Sequence, residues 1–335
     1  MTNLMANELK ENLSVMTIAA GTDRNVVTGS NVYFTGKKIV LYSGDVYIDK
    51  PMETDFEGGV DAALLEDVAD KYGNNEIEIY RVENEIILKR KRSVSKLVVN
   101  DNATFPKIKF SEDVEWRKIP VDFAALIEQA CALTSNNFNE PAKTCIHING
   151  RKMEASDGFH FGIFRMKGNI QDDLFIRKDF VKILSKFEPS EYRLSDSWIC
   201  FRNGKEYFLA VRKITIADYP NLTELFENSK GEIEVELPDK VISSLERAKL
   251  FLRNEVEFDR YIKMEAKEGK ITISTETKTG SYRDRISGAE DLEFSVLINP
   301  EYLVEMLFHT NKLFIGDMAI SCETKNVKMA GCLVG

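Results

Sequence analysis

The chain has 335 residues, 43% of them hydrophobic, and a formal net charge of −9 at pH 7. At roughly 100–200 residues per domain it holds two or three domains, and its apolar content excludes general disorder. No apolar run reaches the ~18 residues of a membrane span and no basic-then-apolar start is present, so neither anchor nor signal peptide is predicted.

The first predicted element is a helix, from Leu9, Leu13, Met16 and Ala20 at i, i+3, i+4, i+7 spacing. A hairpin over 32–42 follows, turning at Gly36-Lys37, then a second helix over 62–72 and a strand pair around Glu83-Asn84. Phe105-Pro106 reads as a linker. The same order then recurs. Phe123, Leu126, Ile127, Ala130 and Leu133 predict a helix, 145–154 a hairpin turning at Gly150-Arg151, 178–187 a helix, and Asn203-Gly204 a strand pair. After a second junction at Tyr219-Pro220 come a helix (Val241, Leu245, Ala248, Leu252) and a hairpin over 261–273 turning at Gly269-Lys270. Asn299-Pro300 then supplies a cap and first-turn proline for a helix over 301–308, and a strand pair turns near Lys325-Asn326.

The hairpin glycines thus recur at intervals of roughly 115 residues, each between alternating apolar runs. The pattern predicts an α+β chain of three repeated domains, 1–112, 113–226 and 227–335, each with two helices packed on antiparallel sheets. Copies joined end to end make either an extended array or a curve, and a curve can close through symmetry with a second chain.

Lys178, Lys182 and Lys186 fall on one stripe of the middle unit's second helix, after Arg177 and opposite Phe180, Ile183, Leu184 and Phe187. Such a stripe is either a solvated face or a phosphate contact; Lys10, Arg24, Arg247 and Arg253, on or just after first helices, favour the phosphate. Asp61, Glu66, Asp67 and Asp70 on the first unit's second helix count against it. No aromatic–basic interleaving or base-reading motif accompanies the lysines, which leaves contact with the DNA backbone and no base readout.

Catalytic signatures are weak. The stretch from Gly29 to Lys38 has the wrong glycine spacing for a phosphate loop and reads as a turn. Asp157 and His160 are expected to point to opposite faces of a strand, with no nucleophile beside them. His147 and His309 read as packed core histidines, and Asp172-Asp173 as a solvated loop pair. Five scattered cysteines without a Cys-x-x-Cys pair predict no disulfide framework, no zinc site and a reducing cytoplasm. The expectation is a non-enzyme without metal or cofactor.

Four segments carry a family resemblance. Ala155-Ser-Asp-Gly-Phe-His-Phe-Gly162 resembles the Ala-Thr-Asp-Gly-His-Arg-Leu-Ala signature of the bacterial DNA polymerase III beta subunit, the β sliding clamp. Asp218-Tyr-Pro-Asn-Leu222 is similar to that family's Phe-Pro-Asp-Tyr junction. The stretch from Leu245 to Glu255 resembles its Ala-Arg-Ala-Ala-Ile-Leu-Ser-Asn-Glu helix end, and Leu297 to Leu303 its Gly-Phe-Asn-Val-Ser-Tyr-Val segment.

The resemblance implies three DNA-clamp domains forming a half-ring, closed as a homodimer around duplex DNA. Such a ring is a processivity factor that tethers the replicative DNA polymerase. Lys10, Arg24 and Lys178 fall where the family faces DNA. The pocket that the family shares between polymerase and clamp loader carries over to Ser156, Gly158, Phe159, His160 and Phe161, to Pro220, Glu224 and Leu225, and to Val327, Met329 and Ala330. Phe251 and Leu252 match its subunit contact.

The chain departs from the family at Glu224 and His160, both arginine there, and in its ending Met329-Ala-Gly-Cys-Leu-Val-Gly335. Those departures suggest a divergent partner peptide, such as that of a phage or mobile-element replication system. The rival readings are an open or monomeric three-domain scaffold that binds only protein, and a hydrolase built on Asp157 and His160.

Overall fold

The computed structural model describes residues 1–20, 29–102, 105–106, 108, 115–204, 207–256, 259–288 and 292–334. The first third runs β1 (Thr2–Met5), α1 (Ala6–Ala20), β2 (Asn31–Thr35), β3 (Lys38–Tyr42), β4 (Val46–Pro51), β5 (Glu57–Asp61), α2 (Ala62–Tyr72), β6 (Glu76–Val82), β7 (Glu85–Arg90) and β8 (Ser93–Val98). The middle runs β9 (Arg117–Lys118), α3 (Phe123–Ala132), α4 (Pro141–Thr144), β10 (Cys145–Ser156) and β11 (His160–Arg177). A 3₁₀ turn (Lys178–Phe180), α5 (Val181–Phe187), β12 (Glu191–Leu194), β13 (Trp198–Asn203), β14 (Tyr207–Arg212) and α6 (Leu222–Ser229) complete it. The last third runs β15 (Ile233–Glu236), α7 (Lys240–Leu252), β16 (Ile262–Lys267), β17 (Lys270–Thr277), β18 (Gly280–Ser287), β19 (Phe294–Ile298), α8 (Pro300–His309), β20 (Lys312–Ile315), β21 (Ala319–Glu323) and β22 (Val327–Cys332).

The first and last thirds therefore share one order of elements. The middle departs from expectation in two ways. The turn expected at Gly150 falls inside β10, and β11 is a single strand of 18 residues that includes Asp172 and Asp173. Gly150, at φ +62°, bends the chain without breaking the strand. The helix expected over 178–187 begins as the 3₁₀ turn, so Lys178 lies outside α5. The short helices α4 and α6 escaped the sequence reading, although Leu222, Leu225 and Phe226 give α6 one turn of i, i+3, i+4 spacing.

By its contacts the chain divides into two compact units. Unit 1 (Met1–Glu128 with Lys167–Thr215) holds an eight-stranded antiparallel sheet, β5-β2-β3-β4-β14-β13-β12-β9, and a four-stranded one, β1-β6-β7-β8. The first is a joint: four strands of the first third meet four of the middle third where β4 pairs with β14, Ile48 opposite Leu209 and Val46 opposite Val211. All four of those side chains are fully buried, so the joint is closed by apolar packing as well as by the ladder.

Unit 2 (Gln129–Met166 with Ile216–Gly335) holds the corresponding joint, β10-β11-β22-β21-β20-β15, where Phe161 pairs with Ala330 and Gly162 with Met329. A β-carbon on Gly162 would stand 2.4 Å from Leu133 Cδ1, so close packing there requires glycine. Its second sheet is β18-β17-β16-β19. In each unit the four-stranded sheet leaves one strand at a sheet edge that is spent on pairing in the joints: β8 in unit 1, in the position of β14 and β22, and β18 in unit 2, in the position of β4.

Candidate nucleic-acid and partner-binding sites

In unit 1, α2 packs beside α1, α1 beside α5, and Ser185 on α5 bonds Glu128 on α3, which sets four helices in a row. Each helix turns an apolar stripe to the sheets, such as Leu9, Leu13 and Met16 on α1 and Ile183, Leu184 and Phe187 on α5. Their outer faces carry the charge. Lys182 and Lys186 are exposed and line a groove of about 410 Å³ with Ile18, Ser185 and the carboxylates Glu128 and Glu188. Lys178 is half-buried in the 3₁₀ turn.

Lys10 is exposed on α1 but its Nζ lies 2.7 Å from Asp70 Oδ1 on α2. That bond raises the lysine pKa and lowers the carboxyl, which Lys71 lowers further. Arg177 is occupied too, between Asp45 at 2.7 Å and Asp179. Arg24 lies outside the described residues. The row thus grades from acidic at α2 to basic at α5.

In unit 2, Arg247 on α7 bonds Asp284 on β18 at 3.2 Å. Arg253 borders a groove of about 330 Å³ with Lys249, Arg260 and Glu301 at the start of α8. Leu252 is buried and Phe251 half-buried, while Leu250, which the sequence reading passed over, is 59% exposed.

The residues expected to line a partner pocket lie within unit 2, on or next to β11, β22 and α6, around one apolar cluster. Ile163, Leu222, Phe226 and Ala330 form that buried cluster, with Phe161 and Tyr219 packed against them. Val327, Met329, Ser156 and His160 are buried, whereas Gly158, Phe159, Pro220, Glu224 and Leu225 are exposed. Asn221 caps α6 by accepting from the Glu224 amide, and its side-chain amide donates back to the Glu224 carboxylate. Lys328 crosses the Phe226 ring and reaches both Glu227 (2.7 Å) and Glu323 (3.2 Å), so this rim is ion-paired.

Phe159 is presented by a tight loop. Gly158 has φ +97°, Asp157 Oδ1 accepts from the amides of Phe159 and His160, and the Ser156 hydroxyl donates to the His160 carbonyl. The strand geometry expected over 157–160 is broken there. Asp157 and His160 consequently meet, Oδ2 to Nδ1 at 2.7 Å, and the imidazole stacks on Tyr302 with ring centroids 4.0 Å apart. Burial pushes the Asp157 carboxyl up, but its bonds to His160 and the loop amides outweigh it and hold the group below the usual aspartate value. His147 likewise bonds Glu154 at 2.8 Å, so it is a paired histidine on the strand and not a plain core residue. Asp172 is a paired strand carboxylate, held by Arg117 and by the Tyr192 hydroxyl at 2.8 Å. The five cysteines are free, Cys145, Cys200 and Cys322 buried.

No family model matches the sequence, and no curated protein matches it. Solved structures do. The DNA polymerase III beta chain of Streptococcus pneumoniae aligns with a TM-score of 0.81 at 15% identity, over 99% of each chain. The DNA polymerase III subunit beta of Pseudomonas aeruginosa aligns at 0.80 and 15%, over 99% of each, and the DNA polymerase sliding clamp of Bacillus subtilis at 0.78 and 17%, over 99% of this chain and 98% of that one. From end to end, this chain has the fold of the DNA polymerase III beta sliding clamps.

Proposed function

We propose that the chain is a DNA sliding clamp: two copies close into a ring of six similar domains, divided near 1–112, 113–226 and 227–335, around duplex DNA. The observation that carries this reading is the pair of half-sheets. The joint in unit 1 is four strands meeting four and that in unit 2 is two long strands, β10 and β11, meeting four, and the two remaining four-stranded sheets end in the strands, β18 and β8, that correspond to the two sides of a joint. A second copy supplies the missing half at each end, and two such contacts related by a twofold axis leave neither β8 nor β18 as a free edge.

Retention on DNA is then topological and needs no tight binding. Lys178, Lys182 and Lys186, with Lys10, Arg24, Arg247 and Arg253 as weaker contributors, supply a sequence-blind attraction to phosphates. The net charge of −9 keeps DNA from the exterior. The exposed Phe159 and Leu225 above the floor of Leu222, Phe226 and Ala330 receive a short apolar peptide from the replicative polymerase and the clamp loader. The protein acts in the cytoplasm, without catalysis of its own. Light scattering on serial dilution tests the assembly: a mass of twice the chain, falling to one only on strong dilution, supports the ring, and a monomer throughout favours the open scaffold.

A further inference from the structure

Resting on the peptide-docking reading above, we propose that the peptide received by Phe159 and Leu225 carries a lysine or arginine, which sits against the Glu224 carboxylate beside its apolar anchors. The placement follows from α6. Asn221 stands three residues before Glu224 and four before Leu225, so it neighbours both on the helix surface. Its side-chain oxygen accepts from the Glu224 amide, and its side-chain amide donates to the Glu224 carboxylate, each at 3.3 Å. The second bond draws the carboxylate back toward the helix start, onto the flank where Leu225 is 43% exposed. Leu222 and Phe226 turn inward, into the buried cluster with Ile163 and Ala330. An acidic group therefore borders the exposed apolar side chain, and the exposed Asp218 lies on the approach to α6, three residues before Asn221.

Lysines around the cluster already have carboxylate partners. Lys328 reaches Glu227 and Glu323, and Lys230 reaches Glu323 at 2.7 Å. Lys143, which packs against Gly158, reaches Glu140 at 2.6 Å, and Lys152 lies 3.6 Å from Glu154. Glu224 and Asp218, by contrast, form no ion pair among the described residues. Phe161, Ile163 and Arg165 alternate along β11, so the exposed Arg165 shares the sheet face of the cluster. It stands about 13 Å along the strand from Phe161, on the side away from Phe159, and leaves Glu224 uncompensated. The surface at Leu225 is thus apolar with a negative border. A peptide cation completes that charge, whereas an acidic peptide meets like charge. An exposed pair of this kind contributes modestly, so the apolar anchors set the affinity and Glu224 sets the choice of sequence.

A peptide array probed with the full chain tests this. Its nine-residue peptides permute Leu and Phe over the five central positions and carry two Lys or two Glu at each end. Lys-ended peptides should bind about tenfold better than their Glu-ended counterparts, about threefold from attraction and the rest from avoided repulsion. Glu224→Arg should reverse that order, Arg165→Glu should leave it, and Phe159→Ser should weaken both sets alike, with folding checked by circular dichroism. Binding that depends on Phe159 but not on the end charges, or an order that Glu224→Arg leaves unchanged, overturns the cation while leaving the docking reading in place. No peptide bound, or binding indifferent to both Phe159→Ser and Leu225→Ser, overturns both.

Discussion

Lys10 Nζ on α1 and Asp70 Oδ1 on α2 form a 2.7 Å ion pair, so one of the basic residues on the helical row is neutralised by its own neighbour. Asp70→Asn should release that lysine, strengthen binding to duplex DNA by a few-fold at low salt, and steepen the dependence of log affinity on log salt by about one. Fluorescence anisotropy on a short duplex measures both. An unchanged slope would place Lys10 away from DNA.

On the proposed reading the lysines near α5 contribute more than Lys10. Replacing Lys178, Lys182 and Lys186 together by Glu should leave thermal unfolding nearly unchanged, because Lys182 and Lys186 are exposed and Lys178 is only half-buried. Retention on circular DNA should fall by an order of magnitude or more. Equal retention would make them ordinary solvent residues.

The Asp157–His160 clasp gives the fold a pH signature. Because the Asp157 carboxyl is depressed when folded, its stabilisation is fully present above the ordinary aspartate pKa of about 4 and is lost as pH falls through the depressed value. Asp157→Ala, which also leaves two loop amides and a buried imidazole without their acceptor, should cost about 1–3 kcal/mol at neutral pH and flatten that acid limb. Urea unfolding across pH 3–7 reads the difference.

Phe159 and Leu225 are large apolar residues left exposed above a buried floor. Phe159→Ser and Leu225→Ser should each weaken capture of the polymerase's clamp-binding peptide about tenfold or more, without altering the dimer. Surface plasmon resonance with that peptide measures the loss. Unchanged affinity in both variants would move the docking surface elsewhere.

Much of this architecture was legible because periodicity survives sequence divergence. The stripes of α1 and α7, the Asn299-Pro300 start of α8 and the turns at Gly36 and Gly269 are dictated by spacing, capping and positive φ, and they mark the repeat. The Asp157–His160 contact was not legible: alternation along a strand separates residues three apart, and only the Gly158 bend reunites them. Nor was the Lys10–Asp70 pair, which joins helices some sixty residues apart. The exposed Leu250 was hidden for a related reason, since its neighbour Leu252 fits the apolar stripe and Leu250 does not. The edge character of β8 and β18 emerges only from strand order, which pattern alone does not set.

Closure around DNA is tested most directly with the protein loaded on a nicked circular plasmid and then challenged by a restriction enzyme. The account predicts that the protein stays on the circle through a wash at moderate salt and leaves promptly once the circle is cut. Equal retention on circular and linear DNA, or none on either, would contradict it.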